Sequence, residues 1–128
     1  NLSASACHRR VQRLESEGII RDYVALLDAR KLGVPTTVFV EITLQTQADE
    51  VLDAFEKAVA RIPEIEQAHL MASHFDYLLK VRTRSMSDYR QVLGEKISSL
   101  PHVSATSTYV AMQAVKEDGP LGSLENVT

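Results

Sequence analysis

One pattern occurs twice between Thr36 and Val115, and it limits the folds open to this chain more than any other feature. Each time, a run of period two is followed by a run of helical period closed by proline, and then by another run of period two. In "TTVFVEITL", Val38, Val40, Ile42 and Leu44 alternate with more mixed neighbours, as a half-buried strand requires. "ADEVLDAFEKAVARIP" then spaces Val51, Leu52, Phe55, Val59 and Ile62 helically, with acids in the first turn and Pro63 as the stop. "EIEQAHLMAS" and "YLLKVRT" read as two strands, "SMSDYRQVLGEKISSLP" as a second helix, and "HVSATSTYVAMQAV" as a long last strand. A shift of 38 residues lays Phe55 on Leu93, Val59 on Ile97, Ile62 on Leu100, Pro63 on Pro101 and Ile65 on Val103. Two strand-helix-strand units with right-handed crossovers predict an α+β domain of ferredoxin-like βαββαβ form over 36–117. Its four antiparallel strands would carry both helices on one face. The other face is left bare, and its apolar alternate positions predict self-association.

Upstream, "LSASACHRRVQRLESEGIIRDY" holds a helix with Ser3 as cap and Gly18 as the left-handed stop. Ala4, Cys7, Val11 and Leu14 form one stripe; Ser5, Arg9, Gln12 and Arg13 point the other way, with Arg10 on the flank. Such a basic face suits a DNA major groove or plain solvent, and spacing alone does not choose. The stripe lacks a cover within the sequence, which predicts that residues 1–21 end a longer helical unit; the start on Asn1 in structured sequence agrees with a fragment. Residues 22–35 read as a linking strand and hinge ended by Gly33 and Pro35, and 118–128 as a loose tail.

Composition narrows the function. A net charge of −3 over 128 residues excludes a chain that coats nucleic acid with its whole surface, yet residues 1–21 sum to +2 against −5 for the rest. The single cysteine, Cys7, excludes an internal disulfide and paired-thiolate zinc sites. His8, His69, His74 and His102 lack metal-ligand spacing, no glycine-rich phosphate loop is present, and no apolar run approaches the ~20 residues of a membrane span. A cytoplasmic protein without metal or cofactor is expected. Ser73, His74 and Asp76 invite a catalytic reading, but neighbours in sequence point apart and seldom form a triad, so no catalytic residue is assigned. Two readings of that stretch stay open: a ligand-binding turn with Asp76 framed by Phe75 and Tyr77, or a β-turn whose Asp caps backbone.

Taken in order, "LSASACHRRVQRLESEGIIRDY", "LDARKLG", "VFVEITL", "ASHFDYLLKV" and "LPHVSATSTYVAMQAVK" resemble the Lrp/AsnC family of transcription regulators, in its leucine-responsive branch, from Leu2 to about Lys116. The resemblance implies a helix-turn-helix domain of which residues 1–21 are the recognition helix and its exit. It also implies a linking strand and a βαββαβ amino-acid-sensing domain. Ser5, Arg9, Arg10 and Arg13 would meet a double-stranded DNA operator, and Cys7 would be a small core residue against the preceding helices. Sensing domains of this family dimerise through their sheets and gather into a ring, commonly a tetramer of dimers, hence an octamer. The amino-acid effector would lie between dimers near Ala72, Ser73, His74, Phe75, Asp76 and Tyr77, with effector-response positions falling on Leu70, Asp76, Met86, Tyr109 and Val110. Where the family carries glycine and then an acid, this chain has Ser73 and His74, which puts the loop's shape and the ligand's identity in question. Two alternatives keep the same architecture: an enzyme of the sirohaem decarboxylase type using His69 and His74, and a stand-alone amino-acid sensor.

Overall fold

The computed structural model describes residues 3–23, 25 and 27–117. A first helix, α1 (Ala4–Ser16), precedes strand β1 (Thr36–Leu44), helix α2 (Asp49–Val59), strands β2 (Ile65–Leu70) and β3 (Tyr77–Thr83), helix α3 (Met86–Val92) and strand β4 (Val103–Val110). All strand pairs are antiparallel, in the order β2-β3-β1-β4. This is the ferredoxin-like arrangement that the doubled pattern predicts.

The period-two runs explain which face is covered. On the two central strands, Val38, Val40, Ile42 and Leu44 of β1 and Tyr77, Leu79, Val81 and Thr83 of β3 point one way and are buried. Phe55 and Val59 of α2, Tyr89 and Val92 of α3, and Ile97 and Leu100 beyond it close over them in a single core. Each such aliphatic or aromatic side chain withdrawn from water contributes about 1.5–3 kcal/mol before chain entropy is set against it. The second helical run departs from its copy in one respect. After Val92 it widens into a π-helical turn, Leu93–Ile97, which contains Gly94. The Ile97 side chain is nevertheless fully buried.

At α1, Ser3 caps the helix by accepting from the Ala6 N–H. Gly18 takes φ +76°, so the Ile19 N–H reaches the Leu14 carbonyl and the Gly18 N–H that of Glu15. Leu14 of the apolar stripe is buried, whereas Cys7 and Val11 are exposed.

Among the described residues of 22–35 a turn spans Ala29–Gly33 and the rest is coil. One expectation needs correction. The last strand ends at Val110 instead of continuing to Val115. Its partner β1 begins at Thr36, and Pro35 before it has no N–H to extend the pairing. The predicted tail 118–128 lies outside the described residues, as do Val24 and Leu26 of the linker.

Candidate functional site

Strands β2 and β3 are joined by a connection whose ends meet in a hydrogen bond from the Met71 N–H to the Asp76 carbonyl, 2.9 Å. The Asp76 N–H donates in turn to the Ile42 carbonyl at 2.8 Å, fastening the connection to β1. The Asp76 side chain does the same. Its Oδ2 accepts from the Leu44 N–H at 2.7 Å, beside an irregularity in the β1–β4 register at Thr43/Leu44, and its Oδ1 accepts from Gln47 Nε2 at 2.7 Å. Asp76 is only 6% exposed. Both carboxylate oxygens thus serve protein donors, and the residue caps a distant strand instead of presenting a free anion.

Ala72, Ser73 and His74 are exposed at the tip. Ser73 Oγ lies 3.2 Å from His74 Nδ1, and His74 Nε2 lies 3.6 Å from a Glu41 carboxylate oxygen. The His74 ring stands edge-on to Phe75, which is buried. No triad forms, because the Asp76 carboxylate is turned to Leu44 and Gln47. Ser73, where the resemblance implies glycine, needs no left-handed backbone either: among the described residues only His102, of those other than glycine, has positive φ. Tyr77, next along the chain, donates its hydroxyl to Glu56 of α2, and its ring packs 4.6 Å from that of Phe55. Burial first, and the Glu56 hydrogen bond second, hold the Tyr77 phenol well above the usual tyrosine range. Phe55, Val59, Ile65 and Leu70 line a cleft of about 420 Å³ beside these two residues.

Met86, Tyr109 and Val110 are not in this neighbourhood. Tyr109 pairs with Phe39 and Val110 with Val38, next to Thr36, which pairs with Thr83 at the far end of β3; Met86 opens α3 just after that end. Through β1, Tyr109 stands level with Lys80 and Val110 with Val81, about 10–14 Å along the strands from Tyr77, and β4 is the sheet edge opposite β2, about 14 Å across from Leu70. The ten expected effector residues therefore fall at opposite edges of one sheet, the second group toward its far end. All three residues of the far group are partly or largely exposed, as is Leu70.

The bare sheet face holds a second cavity, about 840 Å³, whose floor includes Thr37, Phe39, Lys80 and Arg82. Lys80 Nζ lies 3.2 Å from Glu66 and 2.7 Å from Glu117; Arg82 bonds Glu66 at 2.8 Å and also reaches Glu117. Pattern reading passed over this ion-pair cluster, although Lys80 and Arg82 at alternate positions of an otherwise apolar strand were its signal. Gln47 was missed as well, and a glutamine in a polar connection gives no local sign of a partner 29 residues away.

On α1, Ser5, Arg9 and Arg13 are exposed opposite buried Leu14, and Arg10 is half-buried on the flank. Arg9 and Arg13 stand one helical turn apart on the same face. Among the described residues, no group of three or more His, Cys, Asp or Glu could hold a metal ion, and no helix is long and apolar enough to cross a membrane.

Comparison with known proteins matches residues 37–121 to the Lrp/AsnC ligand binding domain and residues 1–21 to a winged helix-turn-helix DNA-binding domain. The chain is 51% identical over 118 residues to a proline dehydrogenase transcriptional activator of Rhizobium radiobacter, spanning 92% of this chain and 76% of that one. It is 47% identical over 120 residues to the leucine-responsive regulatory protein of Escherichia coli K12, spanning 94% and 73%. Its fold is similar to that of a Neisseria meningitidis transcriptional regulator solved as an L-Met complex, with TM-score 0.88 at 24% identity over 99% of this chain and 81% of that one.

Proposed function

The chain belongs to the Lrp/AsnC family of DNA-binding transcription regulators, and from that premise we propose that its effector site is completed only where two copies meet. A small amino acid would bind there, between dimers, and alter DNA binding or assembly. The observation that carries this reading is the division of the expected site: Leu70 and the turn 72–77 lie at the β2 edge of the sheet, Tyr109 and Val110 on the opposite edge strand β4, and Met86 beyond the far end of β3. One chain cannot close both groups on one small molecule. A ring of dimers, an octamer in this reading, brings the turn of one copy to the far end of another. The exposure of Leu70, Met86, Tyr109 and Val110 fits surfaces that a neighbour covers.

The effector works through differential affinity. Bound between copies, it favours the assembly state in which its two half-sites fit, and recognition helices shift relative to successive half-operators. Ser5, Arg9, Arg10 and Arg13 would supply that DNA contact, in the cytoplasm. We read the protein as a regulator without enzymatic activity. In the catalytic alternative His69 and His74 would act on a tetrapyrrole, and a Soret band appearing on its addition would support that case.

The test is a thermal-denaturation screen of the full-length protein against the twenty amino acids. A true effector at ~100 times its dissociation constant adds about 2.7 kcal/mol. Expected is stabilisation by a small set of amino acids that also change operator affinity; no response to any of the twenty contradicts the reading.

A further inference from the structure

We propose that Gln47, on the connection between β1 and α2, is a positioning residue for the effector turn, and that Asp76 acts through Gln47 and Leu44 without touching the ligand. The inference rests on the turn's being part of the effector site, as argued above.

The turn's exit is tied to the β1–α2 unit by hydrogen bonds from residues far away in sequence. The Asp76 N–H meets the Ile42 carbonyl at 2.8 Å, its Oδ2 takes the Leu44 N–H at 2.7 Å, and its Oδ1 takes Gln47 Nε2 at 2.7 Å. The adjacent Tyr77 hydroxyl meets Glu56 of α2. A ligand ammonium at Asp76 would have to share oxygens that already accept charge-assisted bonds inside a buried pocket. What the carboxylate does instead is fix where the backbone of Met71–Asp76 stands, and with it the exposed N–H groups and side chains of Ala72, Ser73 and His74. Among the described residues Gln47 is the one side-chain partner of the Asp76 carboxylate. It hangs from the segment leading into α2, so a shift of the turn is also a shift of that segment.

Amide chemistry separates a positioning role from a charge role. In Asp76→Asn, Oδ1 still accepts from the Leu44 N–H, and Nδ2 donates to Gln47 once the glutamine amide turns over and presents Oε1. Both ties survive without the charge. Asp76→Ala removes both ties, and Gln47→Leu removes one while keeping similar bulk.

The experiment uses full-length protein and three readouts: calorimetric titration with L-leucine, L-methionine and L-proline, operator affinity without amino acid, and amide hydrogen exchange at Leu44 and Met71. Losing one bond to a carboxylate weakens the wild type's preferred amino acid about tenfold in Gln47→Leu, and losing both about a hundredfold in Asp76→Ala. Asp76→Asn stays within about threefold of wild type. Basal operator affinity holds in all three, and exchange at Met71 speeds up in Gln47→Leu and Asp76→Ala but not in Asp76→Asn. The proposal is overturned if Asp76→Asn loses binding as fully as Asp76→Ala while Gln47→Leu matches wild type, for then the charge itself meets the ligand. If wild type binds none of the three amino acids, the site reading is at fault for these probes, and the exchange data still decide the role of Gln47. Unchanged exchange at Met71 in Gln47→Leu refutes it.

Discussion

Tyr77→Phe removes one oxygen from the wall between the turn and α2 and leaves the packing in place. The ring is 3% exposed and stacked against Phe55 at 4.6 Å, so phenylalanine opens no cavity. What is lost is the hydroxyl's bond to Glu56. A hydrogen bond to a charged group contributes about 1.5–3 kcal/mol. Glu56 is exposed and water can replace its donor, which puts the expected loss at or just below the bottom of that range, about 1–1.5 kcal/mol. In a domain of this size that is a fall of roughly 5–10 °C in melting temperature. The pH dependence adds an independent signature. Because folding raises the pKa of Tyr77, by burial and then by Glu56, its contribution is whole below the unfolded value of about 10 and is lost as pH rises beyond it. Tyr89, whose phenol is also raised by burial, remains in the variant and cancels in the comparison. Urea denaturation at neutral pH and through the alkaline limb should show parent and variant separated by about 1–1.5 kcal/mol at unchanged m-value, then converging above pH ~10. Equal midpoints at neutral pH, or curves that stay parallel into alkali, would refute the assigned bond.

Arg9→Ala should weaken operator binding by ~1–3 kcal/mol and relax specificity at one base pair if Arg9 reads a guanine, as checked by competition with single-base operator variants. If the double change of Arg9 and Arg13 to alanine leaves operator affinity untouched, α1 is not the recognition element. Lys96 Nζ bonds both carboxylate oxygens of Glu64, at 2.8 and 2.7 Å, and chiefly by that contact holds its carboxyl below the usual range. A depressed acid contributes stability above its unfolded value of about 4.5 and loses it as pH falls through the lower folded one, so Lys96→Met should flatten the acid limb of the denaturation midpoint.

Where apolar period and chain punctuation decide the outcome, the fold could be read directly. The run "TTVFVEITL" is β1 from end to end, and the Ser3 cap and Gly18 stop frame α1 as their chemistry requires. Elements that depend on a partner were less legible. The apolar positions of 111–115 continue the period of β4, yet no strand lies beside them past the start of β1. At the site, the carboxylate in the turn was visible but its use was not, since Leu44 and Gln47 approach Asp76 only after the sheet has formed. The split between the turn and the far end of the sheet was equally hidden, because it follows from strand order and not from spacing along the chain.

The claim that two copies complete each site is tested most directly by mixing subunits with opposite lesions. Ser73→Trp blocks the exposed turn and Tyr109→Ala strips the far end, and each variant alone should assemble but bind no effector. Coexpressed in equal amounts and randomly assembled, they form some sites with an intact turn from one copy and an intact far end from another. Calorimetry should then recover about one quarter of the wild-type sites at wild-type affinity, the fraction expected when each site draws its halves from two subunits. No recovery in mixed oligomers, with both variants verified in the same particles, would contradict the shared site.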